Sequence, residues 1–494
     1  MTDSATEDSR SSGFDDVRRR VGLLLGPSLF VLTLLLPLPM LSAPAHRLAA
    51  VMVLVITFWV TEALPLPVTA LLGPTLAIVM GVGNAGDAFA PFADPLIFLF
   101  VGSFMLARAI FVHRLNERIA YGVMSWKRVG ARPGRILIAY GVIAAFISAW
   151  MSNTATAAML LPVGMSLLAF MESEGGVNER YGTALMLVMA YGSSLGGMAT
   201  IVGTPPNVIA VGMIREYVGL DISFVEWLVF AGPISIVMVG FLVVYMNWIG
   251  GAGGREIRGA DQIILRRKAA LGPWTRGEKN VLIAFFTTVT LWIVPGILSL
   301  LLGDAHPVAA TLSRAVPLSV AAMIGVTLLF LMPIDRERRA TITWKQAVDI
   351  DWGTILLFGG GLSLGQLAFS TGLAEAFGRA VTGAVPVSSV VWLTFAAAIF
   401  ATVFSETMSN TAAANIAIPI VISIAMSTGV DPVPPAIAAS LAASVAVVLP
   451  VSTPANAIVY SSGKVPITRM VRYGLLMDVV AITVIPTVVL VVLG

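Results

Sequence analysis

The sequence predicts an all-α polytopic membrane protein made of two inverted repeats, with about eleven transmembrane helices, two re-entrant helical hairpins and broken helices at a shared site. Three observations carry that prediction. Apolar runs long enough to span a bilayer recur from end to end, one polar motif is written twice in matching surroundings, and the basic residues gather on one side of the implied topology. Of the 494 residues, 57% are hydrophobic and only 12% are charged, and the mean hydropathy is +0.91. An ordinary soluble domain is roughly a quarter charged, so the shortfall implies a surface that faces lipid. The net charge of +3 is too small for a nucleic-acid binder. With no cysteine in the chain, disulfides, thiolate zinc sites, iron–sulfur clusters and cysteine nucleophiles are excluded.

Residues 1–17 are polar and acidic, Arg18, Arg19 and Arg20 follow, and 21–42 is apolar. Ala43-Pro44-Ala45 resembles the small-residue cleavage site of a secretory signal. A run of roughly twenty apolar residues is long for a signal and sufficient to span, so it reads as a retained first span. Spans are expected near 22–42, 47–64, 67–83, 95–112, 181–214, 224–249, 280–302, 316–333, 352–373, 433–463 and 471–493. Two further stretches, 135–171 and 387–428, are too long for one crossing and carry polar residues at their centres, which suits re-entrant hairpins. A polar tip at membrane depth is tolerable only inside protein or beside a water-filled cavity. Segments 113–132 and 374–384 read as short interfacial helices, and the basic loop 250–279 as a solvated, topogenic face.

With the N-terminus in the cytoplasm, all of the 30 Lys and Arg residues fall in inside segments except Arg47, Arg215, Arg314 and Arg379. Such asymmetry is what the positive-inside rule expects. It places the chain in the cell's inner membrane, multi-pass, with the C-terminus outside.

MSNTA occurs at 151–155 and again at 408–412. At the same offset of 257, Ser148 matches Ser405 and Pro162 matches Pro419. Upstream, Phe100 and Gly102 align with Phe358 and Gly360; downstream, GTPPN at 203–207 pairs with STPAN at 452–456. Because span four runs inward and span nine outward, the halves have opposite topology, and such repeats place a substrate site near the midplane on discontinuous helices. A Ser-Asn-Thr turn offers two hydroxyls and an amide, able to donate and to accept. At a hairpin tip it also exposes the amides of a helix N-terminus, where the dipole favours an anion. The half-helix before it ends in free carbonyls, good ligands for sodium, and Pro205 and Pro454 free more by breaking the following helix. Ser148 and Ser152, like Ser405 and Ser409, lie one helical turn apart and share a face. Two such oxygen-rich nests suit two cations flanking one anion. No Lys, Arg or His lies in either motif pair, and an unpaired charge is costly to bury, so bound cations are the simplest compensation for a dianion.

These residues resemble the divalent anion/sodium symporter family, which carries di- and tricarboxylates or sulfate. The likeness covers nearly the whole chain: span count, both hairpins, both SNT motifs, and the stretches GGMATIVGTPPNVIA and STPANAIVYSSG. The resemblance implies a homodimer in the lipid bilayer, working by an elevator mechanism, with co-transported Na+ at two or more sites and no organic cofactor. It implies a cytoplasmic N-terminus at 1–21 and scaffold spans at 22–134 and, with the cytoplasmic loop, at 250–386; a transport domain would comprise 135–249 and 387–494. It implies one sodium site from Ser148, Ser152, Asn153 and the Gly203 carbonyl, and another from Ser405, Ser409, Asn410 and the Ser452 carbonyl. Substrate carboxylates would be held by Ser152, Asn153, Thr154 and Thr204, and by Ser409, Asn410, Thr411, Thr453 and Pro454. The implied activity is symport of a C4-dicarboxylate of the succinate, malate or fumarate class. Ala413 stands where the first motif has Thr156, and Ala455 replaces the second proline of Thr-Pro-Pro, so the second cation site departs from the pattern.

Alternatives within carriers are a sodium-independent dicarboxylate exchanger and a symporter for citrate or sulfate. Relatives that exchange without sodium use basic side chains in place of the cations, and none stands at these positions. A channel would suit a symmetric pair of polar nests less well than an occluded site does. Gly192-Ser193-Ser194-Leu195-Gly196 matches a nucleophile-elbow string, but in an apolar helix it reads as close packing rather than an enzyme site. His46, His113 and His306 all lie outside the spans. Gly359-Gly360-Gly361 reads as close packing and Glu62 as interfacial. Glu406, an intramembrane carboxylate beside the second motif, has either a functional role or a structural one at the hairpin base.

Overall fold

The computed structural model describes residues 2–126, 129, 132–174, 177–251, 259–303, 305–384 and 389–493, and every named element in them is helical. Helix α1 runs Thr2–Leu35 and carries the polar N-terminal segment and the first apolar run in one piece. It stops short of the expected 42 because Pro37 and Pro39 cannot continue it and the residue before a proline is pushed out of the helical region. Ser42 then caps α2, Ala43–Thr61, by accepting from the Ala45 amide. The chain continues through α3 (Leu66–Val79), α4 (Ala85–Phe89) with a 3₁₀ turn at Ala90–Ala93, and α5 (Pro95–Val112), which matches the expected fourth span.

The segment expected at 113–132 contains the ten-residue α6 (Leu115–Met124). Its Arg118 ties it to the long helix α13 (Arg276–Leu302) through Glu278 at 2.5 Å and stacks over Trp274. The first hairpin consists of α7 (Pro133–Ser148) and α8 (Asn153–Ser173). The expected span 181–214 is two helices, α9 (Glu179–Gly197) and α10 (Pro205–Val218), followed by α11 (Phe224–Gly250). In the basic loop, α12 (Ala260–Ala270) forms, while residues 252–258, including most of its glycine-rich start, lie outside the described residues.

The expected span 316–333 is α15 (Leu318–Leu331), and a short helix not expected from the sequence, α14 (Pro307–Ala315), meets it at 58° with Pro317 at the corner. After α16 (Trp344–Ala347) come α17 (Trp352–Ser370) and α18 (Leu373–Ala384), the latter at the expected interfacial segment. The second hairpin is α19 (Val390–Thr407) and α20 (Asn410–Thr428); its expected start at 387 lies outside the described residues. The expected span 433–463 is again two helices, α21 (Val433–Ala443) and α22 (Pro454–Ser461), before α23 (Ile467–Leu493).

The same packing recurs in the two halves. Helix α7 packs on α9 as α19 packs on α21, and α11 covers α7 and α9 as α23 covers α19 and α21. The halves then interlock crosswise, α10 against α20 and α22 against α8. Around this group stand α2, α3, α5, α13, α15 and α17, packed on one another. Gly359, Gly360 and Gly361 on α17 are close-packing residues: a Cβ at Gly360 would lie 2.4 Å from the Ala70 carbonyl oxygen, and one at Gly361 only 1.8 Å from Asn415 Oδ1. Small residues let helices approach in this way where apolar burial drives nothing. Large apolar side chains such as Ile236, Val244, Leu301 and Val491 point outward and exposed. By length and composition, nine helices among the described residues are able to cross a membrane, or ten counting the bent pair.

Candidate functional site

The first nest is built by the tip of one hairpin and the break of the helix beside it. Helix α7 ends at Ser148, and Ser152 restarts the chain as the N-cap of α8, its Oγ accepting from the Ala155 amide at 3.3 Å. A Ser N-cap stabilises a helix by about 1 kcal/mol over alanine. The fully buried Ser148 donates to Asn153 Oδ1 at 2.7 Å, so the serine one turn back aims the amide of the motif. Ser152, Asn153 and Thr154 remain half-buried, which leaves one side of the tip open.

Helix α9, buried from Tyr181 to Gly197, stops at Met198, and the chain is non-helical to Thr204. Pro205 and Pro206 open α10, where a missing N–H costs nothing because the first amides have no partner in the helix. Thr200 Oγ1 donates to the Ala149 carbonyl at 2.5 Å, and Trp227 Nε1 donates to the Met198 carbonyl at 3.1 Å. The glycines here are required by close approach. A Cβ at Gly197 would lie 2.7 Å from Asn153 Oδ1 and 3.0 Å from the Gly203 carbonyl oxygen; one at Gly203 would lie 2.4 Å from the Gly197 oxygen and 3.0 Å from that of Ala149. The amide oxygen of Asn153 and the carbonyls of Ala149, Gly197 and Gly203 therefore crowd one small space beside Ser148.

The second nest repeats the first. Buried Ser405 Oγ lies 2.9 Å from Asn410 Oδ1 and 2.5 Å from the Ala443 carbonyl, with one proton to share between them, and Ser409 caps α20 by accepting from the Ala412 amide at 3.2 Å. The chain is non-helical from Ser444 to Thr453, and Pro454 opens α22. Thr411, Ser452 and Thr453 are buried, while Pro454 is exposed. The halves differ at the base of the hairpin, where Glu406 stands in place of the first half's Ala149. Its carboxylate accepts from the Val447, Val448 and Leu449 amides at 2.5, 2.9 and 3.3 Å and from Ser452 Oγ at 2.6 Å. Of the two roles open to it in the sequence, Glu406 thus fills a structural one, tying the second break to the hairpin. Where the first nest has Thr200 on the Ala149 carbonyl, Ser452 Oγ stands 3.1 Å from the Glu406 main-chain carbonyl, a second acceptor for the one proton it gives the carboxylate.

Of the expected site residues, contacts join Ser148 to Asn153 and Ser405 to Asn410, and Ser152 and Ser409 cap the helices that follow; Thr154 and Thr411 lie in the first turns of α8 and α20, and Thr204, Thr453 and Pro454 at the starts of α10 and α22. Two asparagines inside the quoted stretches, without an expected role, reach back into the breaks. Asn207, the third residue of α10, donates Nδ2 back to the carbonyls of Gly197, Met198 and Thr200 at 3.1, 3.3 and 2.7 Å. Asn456, the third residue of α22, donates Nδ2 to those of Ala446 and Leu449 at 3.1 and 3.0 Å. The repeated Asn at the end of GTPPN and STPAN is the available signal.

The remaining candidates are structural. Ser193 donates to the Met189 carbonyl within α9, and Gly192 and Gly196 pack against the Gly141 and Ala145 carbonyls, so the elbow-like string is helix packing. His46 and His113 each contact a main-chain carbonyl, of Thr33 and Thr341, at 2.6 Å. Glu62 pairs with Arg18 at 2.8 Å.

Residues 18–493 match the family model described as the sodium:sulfate symporter transmembrane region. The chain is 33% identical over 487 residues to a sodium-dependent dicarboxylate transporter, SdcS, of Staphylococcus saprophyticus, covering 96% of this chain and 91% of that one. It is 31% identical over 471 residues to the protein of the same name in Staphylococcus aureus, covering 93% and 88%. Among solved structures, the YdaH transporter of Alcanivorax borkumensis superposes with a TM-score of 0.55 at 13% identity, over 91% of this chain and 98% of that one, and so shares the fold. A family match spanning nearly every residue, together with relatives this similar over most of their length, establishes that the chain belongs to the divalent anion/sodium symporter family.

Proposed function

We propose that the protein is a secondary active transporter coupling sodium movement to symport of a C4-dicarboxylate, by an elevator mechanism in a homodimer. The observation that carries this reading is the twice-built tip. In each half a buried serine orients an asparagine amide beside a helix break rich in carbonyl oxygens, and no basic residue lies in either motif pair. Two sodium ions would sit in these nests, on Ser148, Ser152, Asn153 and Gly203, and on Ser405, Ser409, Asn410 and Ser452. Their charge lets a dianion leave water, which is otherwise prohibitive.

Helices α8, α10, α20 and α22 all begin at motif residues. Their positive ends suit the two carboxylates, held by Ser152, Asn153, Thr154 and Thr204 on one side and Ser409, Asn410, Thr411, Thr453 and Pro454 on the other. The hairpin group, 135–249 and 387–494, would be the moving body, and 22–134 with 250–386 the scaffold. The basic residues favour a cytoplasmic N-terminus and an outer C-terminus. The relatives' names, sodium-dependent dicarboxylate transporter, support both the ion and the substrate class.

Uptake of labelled succinate into proteoliposomes, driven in turn by gradients of sodium, potassium and protons, tests the proposal. Saturable uptake only with sodium is expected. Equal uptake in potassium would point to sodium-independent exchange, and competition by sulfate or citrate stronger than by malate would reassign the substrate.

A further inference from the structure

Asn207 and Asn456 do the same thing in the two halves. Each is the third residue of the helix that follows a break, and each reaches back to the carbonyls ten and seven residues earlier: Gly197 and Thr200 for Asn207, Ala446 and Leu449 for Asn456. Both side chains are fully buried. Neither backbone amide closes onto the carbonyl four residues back, as it would inside a regular helix. The Asn207 N–H goes to the Thr204 carbonyl at 3.2 Å, and the Asn456 N–H to Thr453 Oγ1 at 3.1 Å. The carbonyls left over at that position are those of Gly203 and Ser452, one in each nest. The Pro205 nitrogen and the Pro454 nitrogen have no hydrogen to offer them either.

We infer that Asn207 and Asn456 are positioning residues for sodium, clamping the two breaks so that the Gly203 and Ser452 carbonyls stay unpaired and aimed at the ions. The inference rests on the function proposed above. A break whose carbonyls were free to rotate would have to be ordered by each arriving ion, and that cost would be taken from affinity. The amide Nδ2 is the group suited to the work, because it supplies two donors in one plane. An ionised aspartate of the same shape supplies none and repels the carbonyl oxygens it faces. In both residues Oδ1 is buried without a partner, so the side chain is held by its donor end alone. Neither asparagine is among the residues assigned above to sodium or substrate.

The test uses the full-length protein carrying Asn207→Asp or Asn456→Asp. Two quantities are read: the rise in thermal midpoint on adding sodium to purified protein, and the sodium and succinate dependence of uptake. Each variant is expected to raise the half-saturating sodium concentration at least tenfold and to lower the sodium Hill coefficient. It should lose at least half of the sodium-induced rise in midpoint, while succinate KM at saturating sodium stays within about twofold. A variant less stable without sodium but with wild-type sodium saturation would show a merely structural role and overturn the inference. Should the aspartates fail to fold, Asn207→Ser and Asn456→Ser, which retain one short donor, must show the same loss of sodium affinity in milder form; wild-type sodium affinity in both overturns it as well. Sodium-independent uptake and melting by the wild-type protein would overturn the function proposed above and this inference with it. Sodium dependence that survives unchanged in the variants overturns this inference alone.

Discussion

Glu406 receives four hydrogen bonds at the second break, and its removal can be worked through donor by donor. Oε1 accepts from the Val447 and Val448 amides, and Oε2 from the Leu449 amide and Ser452 Oγ. In Glu406→Ala all four acceptor contacts vanish, but the Ser452 hydroxyl can turn its proton to the main-chain carbonyl of residue 406, 3.1 Å away. Three amides are then left without a partner in a segment where Val447 is fully buried. A buried donor left unsatisfied costs roughly 1–3 kcal/mol, so the substitution should cost at least about 3 kcal/mol. Glu406→Gln behaves differently. Its carbonyl keeps the Val447 and Val448 amides, its NH2 group faces the Leu449 N–H, and one donor is orphaned, for roughly 1–3 kcal/mol. Thermal unfolding of the purified proteins, followed by tryptophan fluorescence, should rank wild type above the glutamine variant, and the glutamine variant well above the alanine one. An alanine variant melting with wild type, or a glutamine variant as damaged as the alanine one, would refute the assignment of Glu406 as the tie of the second break.

The remaining predictions concern the nests and the packing around them. Asn153→Ala and Asn410→Ala should each abolish succinate uptake while elution volume remains that of wild type; wild-type transport rates in both would remove the site. Gly197→Ala drives a Cβ to 2.7 Å from Asn153 Oδ1 and 3.0 Å from the Gly203 oxygen. Sodium-dependent uptake should therefore fall at least tenfold, more than stability measured in the absence of sodium would suggest. Gly361→Ala places a Cβ 1.8 Å from Asn415 Oδ1, and Asn415 is pinned by bonds to the Leu357 and Thr411 carbonyls at 3.3 and 3.0 Å. Overpacking of this kind costs about 1–3 kcal/mol, and a thermal midpoint unchanged from wild type would contradict the close packing of α17 on α20.

Much of this architecture could be read before any coordinates. Ser, Asn, Thr and Pro at fixed spacing inside apolar runs are expensive enough at membrane depth that two copies in one order mark both hairpins and both breaks. Local punctuation was also readable. Pro37 and Pro39 end α1, although the apolar pattern alone ran straight through them to 42, and Pro317 sits at the corner between α14 and α15, where the expected span begins. What escaped reading depends on contacts between distant segments. The four donors on Glu406 come from residues some forty positions away, beyond any helical spacing. The Asn207 and Asn456 clamps reach back across a non-helical stretch whose path no periodicity describes. Both asparagines stood in plain view in the repeated pentapeptides, but Thr-Pro explains the break without them. Crosswise docking of α10 on α20 and α22 on α8 was likewise invisible, since it joins the halves rather than neighbours in sequence.

Equilibrium binding of labelled succinate to the purified protein, in sodium and then with choline in its place, addresses the central claim without any membrane or gradient. If captured cations supply the charge that the pockets lack, affinity should fall at least a hundredfold in choline, equivalent to about 2.8 kcal/mol. Equal affinity in the two salts would mean that the protein neutralises the dianion by itself, and the proposed coupling would have no physical basis.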